Sequence, residues 1–467
     1  MMRGGLGGAP VTTSRGALGT GTAAAASAPR AWPDLLLLLV AAVIFTYIWR
    51  LHNVVAAAQA LRPTALLGLA IAAACVSVPL SLVGRRLASS VLALLMLLTV
   101  VAAAGIPFAL DPAATTSYVT GWIMPGVLLA LVVAISARST GDVEWLLLAT
   151  VVGAAVFVLI LYARGGVNAV TNSEVTVFYD RNELALMLVV LLPAVVHFMR
   201  AGEPAVRRAF ALGCFLLFVF TIVRGGSRGG LVGLSAVLGY VLLTFRTVPR
   251  STRVAVAAGA VLLLAGGGAM YWARMRTILQ PTADYNVSAS YGRAAIWQRG
   301  LRYVRERPLA GVGASGFAVA EHELSPLARR RIMAGRPVHL LNAHNIFVQV
   351  AAELGLPGLV VFVALLVQMA RTLRRVRRGR DRYARTPAVA QVLLAALLGY
   401  VVCGFFLSAA YFPFLFLLIG LVAALAAIAR SEEPLTRQWD QPRRAVTPPA
   451  TRGGGVPAYE VPAPARW

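Results

Sequence analysis

The stretch NAHNIFVQVAAELGLPGL, residues 342–359, joins a polar start to an apolar helix. It opens with His344 between two nearby asparagines, and it runs on into an apolar segment that extends to about residue 370. A segment of that length can cross a bilayer. Because an imidazole at the mouth of a membrane helix is costly unless it faces other polar groups, the stretch predicts a transmembrane helix that begins in a polar site.

Similar apolar runs occupy most of the chain. Together with the run at 344–370 they lie near residues 33–50, 64–83, 86–104, 118–136, 143–162, 183–199, 207–223, 229–245, 253–272, 387–407 and 411–429. Of the 467 residues, 59% are hydrophobic and 13% are charged, whereas soluble domains are about half apolar and about a quarter charged. The sequence therefore predicts an all-α, polytopic membrane protein with about 12 transmembrane helices.

The formal net charge of +25 suggests nucleic acid as a partner, but the distribution of the arginines indicates membrane topology instead. If the N-terminus is cytoplasmic, the loops on the cytoplasmic side hold most of the loop arginines, including eight between Arg371 and Arg385. Cytoplasmic loops of membrane proteins are enriched in this way. We expect a multi-pass plasma-membrane protein with both termini cytoplasmic, no nucleic-acid partner, and anionic lipid against the 371–385 cluster.

The chain divides into one membrane domain and two tails. Residues 1–30 and 431–467 are predicted to be disordered cytoplasmic tails, and residues 31–430 form the integral-membrane domain. The extracytoplasmic loop at 273–343 is long enough to indicate a function of its own. Within it, residues 290–317 show apolar side chains at helical spacing, which predicts an amphipathic helix on the outer membrane surface.

Several unusual polar residues are predicted to lie at the same outer level. They are Arg181, Asn182, Arg224, Arg228, Arg293, His344 and Asn345. Guanidinium groups fit phosphate oxygens, and the glycines at 225, 226, 229 and 230 allow an anion-binding concavity at a helix N-terminus. An anion with an apolar tail, such as a polyprenyl diphosphate or another lipid phosphate, would suit this set.

Structural roles remain open for single members of the set. Arg224 can end a helix, Arg293 can be solvated, and His344 can cap a helix end. Glu353 can pair with backbone amides near Pro357 or with an arginine. The sequence has no Asp-x-Asp pair and no Walker loop, so the usual metal-dependent glycosyl transfer and ATP-driven transport lack their signatures.

Four motifs resemble those of the O-antigen ligase and O-antigen polymerase superfamily. They are SRGGLVGL at 227–234, GRAAIWQRGL at 292–301, PLAGVGASGF at 308–317 and HNIFVQVAAELGLPGL at 344–359, in the order that the family has. YDRNELALMLVVLLP at 179–193 is similar to a weaker family pattern, and the resemblance covers roughly residues 170–370. Asn342 stands where family members often have a further histidine, and the nearest one here is His339.

The resemblance implies a membrane-embedded glycosyltransferase that takes a glycan from undecaprenyl diphosphate on the outer side and needs neither metal nor any other cofactor. Carried over by motif, Arg228 and Arg293 would hold the diphosphate, and His344 would act at the reacting centre. The imidazole would either remove the proton of the acceptor hydroxyl or bind phosphate. The remaining predicted members are Arg224 and Arg181 as further diphosphate ligands and Asn345, Glu353 and Asn182 as supporting residues.

Three functions from the same class stay open, and one from another class. The enzyme could be a polymerase, a ligase that uses a lipid or wall acceptor, or a transferase onto protein hydroxyls. The alternative is a transporter or flippase of lipid-linked glycans, which predicts polar residues across the whole depth of the membrane. A scaffold would leave the arginine, histidine and glycine motifs unexplained.

Overall fold

The computed structural model describes residues 34–50, 60, 62–167, 180–280, 284, 289–338, 341–379 and 385–439. Regular secondary structure in these ranges is helical throughout, which confirms the predicted all-α class. The predicted tail at 1–30 lies outside the described residues, and so do residues 440–467 and His339.

The helices of the first part of the chain follow the apolar runs closely. They are α1 (Leu35–Val43), α2 (Pro63–Ser77), α3 (Leu80–Leu87), α4 (Ser90–Ala104), α5 (Pro112–Tyr118), α6 (Met124–Ser136) and α7 (Thr140–Ala163). A π-helical turn, Ile44–Ile48, extends α1, and a second, Val119–Ile123, joins α5 to α6.

The helices of the second part surround the predicted polar site. They are α8 (Arg181–His197), α9 (Ala205–Gly225), α10 (Arg228–Thr244), α11 (Arg250–Ala265), α12 (Gly268–Arg276), α13 (Arg293–Glu306), α14 (Phe317–Glu323), α15 (Pro326–Met333), α16 (Ile346–Arg377), α17 (Arg385–Gly404) and α18 (Pro413–Trp439). The last of these continues past Ser431, where the C-terminal tail is predicted to begin.

Fewer helices than predicted are long enough to cross a membrane. Among the described residues, seven helical stretches have the length and apolar composition of a span: Ser90–Phe108, Pro112–Ser136, Thr140–Ala163, Ala205–Gly225, Ile346–Arg377, Arg385–Gly404 and Pro413–Ser431. The pair α11 and α12, bent by 97°, would make an eighth. The other apolar runs also form helices, but these are shorter, so the count of about 12 spans is not reached by this measure.

The predicted outer loop folds into helices. It contains the end of α12 followed by α13, α14 and α15, and α13 lies within the predicted amphipathic segment. The buried face of α13 packs against the protein: the Tyr303 ring meets the Phe317 ring edge-on at 5.7 Å, and a methyl group on Gly300 would lie 2.5 Å from the Val348 side chain. The apolar spacing of α13 therefore serves a contact with α16.

The helix α8 lies at the centre of the bundle. Residues 184–196 are all apolar and all buried, and α8 packs against α9, α10 and α17. A methyl group on Gly230 would lie 2.8 Å from the Ala185 Cβ atom. Because these two residues lie in the first turns of α10 and α8, the close contact brings the N-termini of the two helices together.

A break interrupts α16 at Gly355. Its backbone has φ 69° and ψ −174° inside α16, and the next residue, Leu356, donates its N–H to the Pro308 carbonyl oxygen at 2.8 Å. A Cβ atom at Gly355 would lie 2.5 Å from the Leu309 carbonyl oxygen, so this contact requires glycine. The break docks the loop before α14 onto the helix that follows His344.

Candidate active site

Three of the predicted arginines are the first residues of helices. Arg181 begins α8, Arg228 begins α10 and Arg293 begins α13. A cation at this position opposes the partial positive charge of the helix N-terminus and costs about 0.3–1 kcal/mol. Helix N-termini that also carry guanidinium groups favour a bound anion.

Capping residues fix where two of these helices start. Asp180 caps α8, and its Oδ1 atom accepts hydrogen bonds from the backbone N–H groups of Asn182 and Glu183, both at 2.7 Å. Ser227 caps α10, directly after Gly226 ends α9 with left-handed backbone (φ 61°). This two-residue reversal places Arg228 beside the end of α9.

The glycines that follow Arg228 serve helix packing. Gly230 faces Ala185, and a Cβ atom on Gly229 would lie 3.2 Å from the Phe406 Cβ atom. Neither glycine is used here for the backbone concavity that the sequence suggests. Their contribution to the site is indirect, because small residues allow α10 to approach α8 and α17 closely.

Arg228 already holds an anionic group of the chain itself. Its Nη1 atom donates to Oδ2 of Asp284 at 2.5 Å and to Oγ1 of Thr277 at 2.6 Å. The two charged side chains are 17% and 14% exposed. The Asp284 carboxylate therefore marks a position where this guanidinium group binds an anion.

A fourth arginine, Arg274, joins the cluster and was missed by sequence reasoning. Its charge interacts with those of Arg181 and Arg228. The 97° bend between α11 and α12 turns the end of the apolar run toward the other arginines. The available signal was the triplet Gly266–Gly268, which interrupts the run shortly before Arg274.

Arg293, which is half-buried, interacts with the same cations. Burial, followed by the charge of Arg228, lowers the pKa of the Arg293 guanidinium group from its ordinary value. The carboxylates of Asp180 and Asp284 act in the opposite direction. The group thus contains four guanidinium groups and the two carboxylates that act on Arg293. The excess of positive charge suits a polyanion. We call Arg181, Arg228, Arg274 and Arg293 the arginine cluster.

His344 borders the arginine cluster in a strained conformation. Its backbone has φ 49°, and its N–H group donates to Oγ of Ser408 at 2.7 Å. Burial, followed by the charge of Arg293, lowers the pKa of the imidazole below its ordinary value of 6.5. The imidazole is therefore uncharged at neutral pH, which is the form that accepts a proton.

Neighbouring residues hold His344 in place. Trp297 of α13 donates its indole N–H to the Ala343 carbonyl oxygen at 3.0 Å. The buried Asn345 caps α16, with Oδ1 accepting from the Phe347 N–H at 2.8 Å and from the following N–H at 3.1 Å. The predicted supporting residue Asn345 thus fixes the start of the helix behind the imidazole.

Glu353 supports the site from further along α16. The residue is 2% exposed, and its carboxylate interacts with the backbone amides of Ser315 and Phe317. Gln349 donates to it at 3.5 Å. Among the alternatives that the sequence left open, the structure favours backbone amides, but they belong to the loop before α14 and not to the proline turn.

Two predicted members lie differently from the rest. Arg224 is exposed near the end of α9, and its charge acts on Tyr162 of α7. The contacts of the described residues do not bring Arg224 into the arginine cluster. Asn182 donates its backbone N–H to the Asp180 side chain, which caps α8.

No metal-binding group occurs in the part of the chain that the structure describes, if three or more histidine, cysteine or carboxylate side chains are required. The charge available to a ligand at this site comes from the arginine cluster. The site as built can hold an anion beside an uncharged imidazole.

Comparison with known families agrees with the motifs. The sequence profile described as O-antigen ligase matches residues 213–363. Residues 213–363 are therefore similar to the O-antigen ligase family. The matched region contains Arg228, Arg274, Arg293 and His344, whereas Arg181 lies before it. None of the curated proteins compared with the chain matches it.

Proposed function

We propose that the protein is an extracytoplasmic glycan transferase that moves an oligosaccharide or polysaccharide from undecaprenyl diphosphate to an acceptor during cell-surface polysaccharide biosynthesis. The observation that carries this proposal is the arginine cluster, three members of which begin helices, beside the imidazole of His344. The similarity to the O-antigen ligase family supports the same class of enzyme.

The arginine cluster binds the diphosphate of the donor. Arg228 and Arg293 make the main contacts, and Arg181 and Arg274 complete the positive field. The Asp284 carboxylate, which now lies 2.5 Å from Arg228, gives way to a phosphate oxygen. Fixed guanidinium groups stabilise the charge that develops on the leaving diphosphate, so the reaction does not require a metal ion.

The transfer step is a substitution at the sugar carbon attached to the diphosphate. The acceptor hydroxyl oxygen forms the new bond to this carbon while the carbon–oxygen bond to the diphosphate breaks, and the electron pair leaves with the diphosphate. The imidazole of His344 takes the proton of the acceptor hydroxyl. In the alternative role, His344 binds a phosphate oxygen. The proton of the acceptor hydroxyl then goes to a water molecule or to the leaving diphosphate.

The arginine distribution supports an extracytoplasmic site. The segment 371–385 after α16 is strongly basic and is expected in the cytoplasm. His344 lies at the opposite end of α16, and the helix is long enough to cross the bilayer. We therefore place the site on the outer side of the plasma membrane and both termini in the cytoplasm, with the bilayer as the route for the donor lipid.

The transporter alternative predicts polar residues along the membrane depth. The central helix α8 offers none, because residues 184–196 between its two polar ends are all apolar and buried. This favours chemistry at one surface over passage of a polar substrate.

A comparison of envelope glycans tests the proposal. A null strain receives either wild type or His344→Ala, and its glycans are separated by length and by anchor. Single repeat units left on the carrier would indicate a polymerase, and full-length chains left on the carrier would indicate a ligase. Unchanged glycans in the variant would contradict the proposed role of His344.

Binding measurements separate the two roles of His344. We expect His344→Ala to bind the undecaprenyl diphosphate-linked donor normally and to turn it over slowly if the imidazole acts on the acceptor. Loss of donor binding would make His344 a phosphate ligand instead.

A further inference from the structure

A cavity of about 440 Å³ lies between α5 and the loop that leads into α14. Its walls come from α5, from the π-helical turn after it and from the loop that leads into α14. The lining residues are Asp111, Ala114, Thr115, Ser117, Tyr118, Gly121, Trp122, Ala314, Ser315, Gly316 and Val319.

Two aromatic rings form one wall of the cavity. The rings of Tyr118 and Trp122 are stacked at 6.4 Å with an interplanar angle of 27°. The Trp122 indole N–H donates to the Tyr411 carbonyl oxygen at 2.9 Å, and the Tyr411 ring meets the Tyr118 ring edge-on at 6.0 Å. The two rings are therefore held in place from behind.

Short polar side chains line the rest of the cavity. Asp111 uses one carboxylate oxygen to cap α5, where it accepts the Ala114 N–H at 2.8 Å, and its other oxygen is available to a ligand. The Ser117 and Ser315 side chains are exposed and line the same space. Rigid aromatic faces beside hydroxyl and carboxylate groups suit a sugar ring, whose C–H face is apolar and whose hydroxyl groups donate and accept hydrogen bonds.

Backbone strain is concentrated at this cavity and at the active site. Among the described residues, three non-glycine residues have positive φ: Arg50, Ser315 and His344. Arg50 lies over the Trp122 ring at 5.2 Å, and Ser315 lines the cavity. Strained residues of this kind cost about 1–3 kcal/mol each and cluster at functional sites, as do π-helical turns.

Backbone hydrogen bonds connect the cavity to the helix behind His344. Val312 donates its N–H to the Ala352 carbonyl oxygen at 2.9 Å, and Gly313 donates to the Glu353 carbonyl oxygen at 3.0 Å. The loop that holds Ser315 is thus fixed to α16 about 10 Å along the helix from its first residue, Ile346. A glycan of a few sugar residues can reach from the cavity to His344.

We propose that this cavity is a carbohydrate subsite, in which one sugar ring of the glycan stacks on Tyr118 and Trp122 while the reacting end lies at His344. The inference rests on the proposed function, because it assigns a position to the glycan of that reaction. The sugar belongs either to the donor glycan or to a glycan acceptor, and the chemistry of recognition is the same for both.

A side chain that fills the cavity tests the subsite. Gly121 is exposed, and a Cβ atom there would meet no atom within 4 Å, so Gly121→Phe fills the cavity without a clash at its Cβ atom. Gly68→Phe is the matched control, because Gly68 is also an exposed helical glycine with no atom within 4 Å. We expect Gly121→Phe to lower the rate of glycan transfer about tenfold or more, and Gly68→Phe to behave like wild type.

Binding assays identify which sugar occupies the subsite. The full-length protein in nanodiscs is titrated with undecaprenyl diphosphate and, separately, with the free oligosaccharide that mild acid releases from the lipid-linked glycan of the null strain. Weaker oligosaccharide binding by Gly121→Phe, with undecaprenyl diphosphate binding unchanged, assigns the subsite to the donor. A higher KM for the acceptor, with both binding constants unchanged, assigns it to the acceptor.

Two results would overturn the inference. One is transfer by Gly121→Phe at the wild-type rate with wild-type KM values. The other is equal activity of Tyr118→Leu and Tyr118→Phe, since only the second keeps the aromatic face, and we expect the first to lose about two- to tenfold. Failure of the proposed function is a separate outcome: Arg228→Ala would then bind undecaprenyl diphosphate as wild type does.

Discussion

The two ends of α8 carry polar clusters that contain the same kinds of residue but differ in how fully their charges are paired. At one end, Nε2 of His197 donates to the Glu144 carboxylate at 2.9 Å, and the same carboxylate pairs with Arg200 at 2.7 Å and with Arg385 at 2.6 Å. We call these four residues the Glu144 cluster. At the other end, the arginine cluster lies beside His344, and its guanidinium groups outnumber the carboxylates that act on Arg293.

The difference separates a structural cluster from a binding site. The Glu144 cluster is closed, because its two arginines are matched by two carboxylates: both pair with Glu144, which is 4% exposed, and Arg200 also pairs with Glu203 at 2.5 Å. It ties the end of α8 to α7 and α17. Among the described residues, two carboxylates act on the four guanidinium groups of the arginine cluster, which leaves an excess of positive charge beside an imidazole in strained backbone. The presence of arginine and histidine is therefore less informative than the balance of charge around them.

The largest effect is expected for Glu144→Gln, on stability. Removing the central carboxylate breaks its buried pairs with His197 and Arg200, although Arg200 keeps Glu203, and breaking a buried pair typically costs about 3–5 kcal/mol. Thermal unfolding in detergent measures this loss. The control is Glu306→Gln, whose pair with Arg302 is exposed, and here we expect at most about 0.5 kcal/mol. Equal stability of the two variants would contradict a structural role for the Glu144 cluster.

The next effect is expected for Arg228→Ala, on transfer. Loss of a fixed group that stabilises the leaving diphosphate lowers the turnover number by about 10²–10³-fold. Melting temperature should change less than for Glu144→Gln, because the lost pair with Asp284 is offset by weaker repulsion of Arg274 and Arg293. Arg305→Ala, on the exposed face of α13, serves as the control with wild-type turnover. Normal transfer by Arg228→Ala would remove the distinction between the two clusters.

The smallest effect is expected in the pH profile. Because the pKa of His344 is lowered by burial and by Arg293, its base form predominates at neutral pH and is lost below pH 6.5. Transfer should fall about tenfold for each further pH unit on that acid limb. Arg293→Gln removes one positive charge, so the pKa of His344 should rise and the acid limb should move to higher pH. An acid limb at the same pH in both proteins would assign it to another group.

The sequence predicts the all-α class and most helix positions because long apolar runs need helical backbone in a membrane. It also names Arg228, Arg293 and His344 through motif resemblance. The number of spans was less predictable, since runs such as 253–272 bend at glycines and others form helices that are short. Composition does not specify a bend of 97°.

What the sequence by itself determined is the set of side chains available to the site and the side of the membrane on which they are expected. Only the tertiary structure decided which of them meet. Arg224 and Arg228 are four residues apart in one motif, yet Arg224 stays on the exposed face of α9 while Arg228 faces Asp284. The physical reason is the left-handed backbone at Gly226, which ends α9 and starts α10 in a new direction, and a bend of this kind redirects every residue after it.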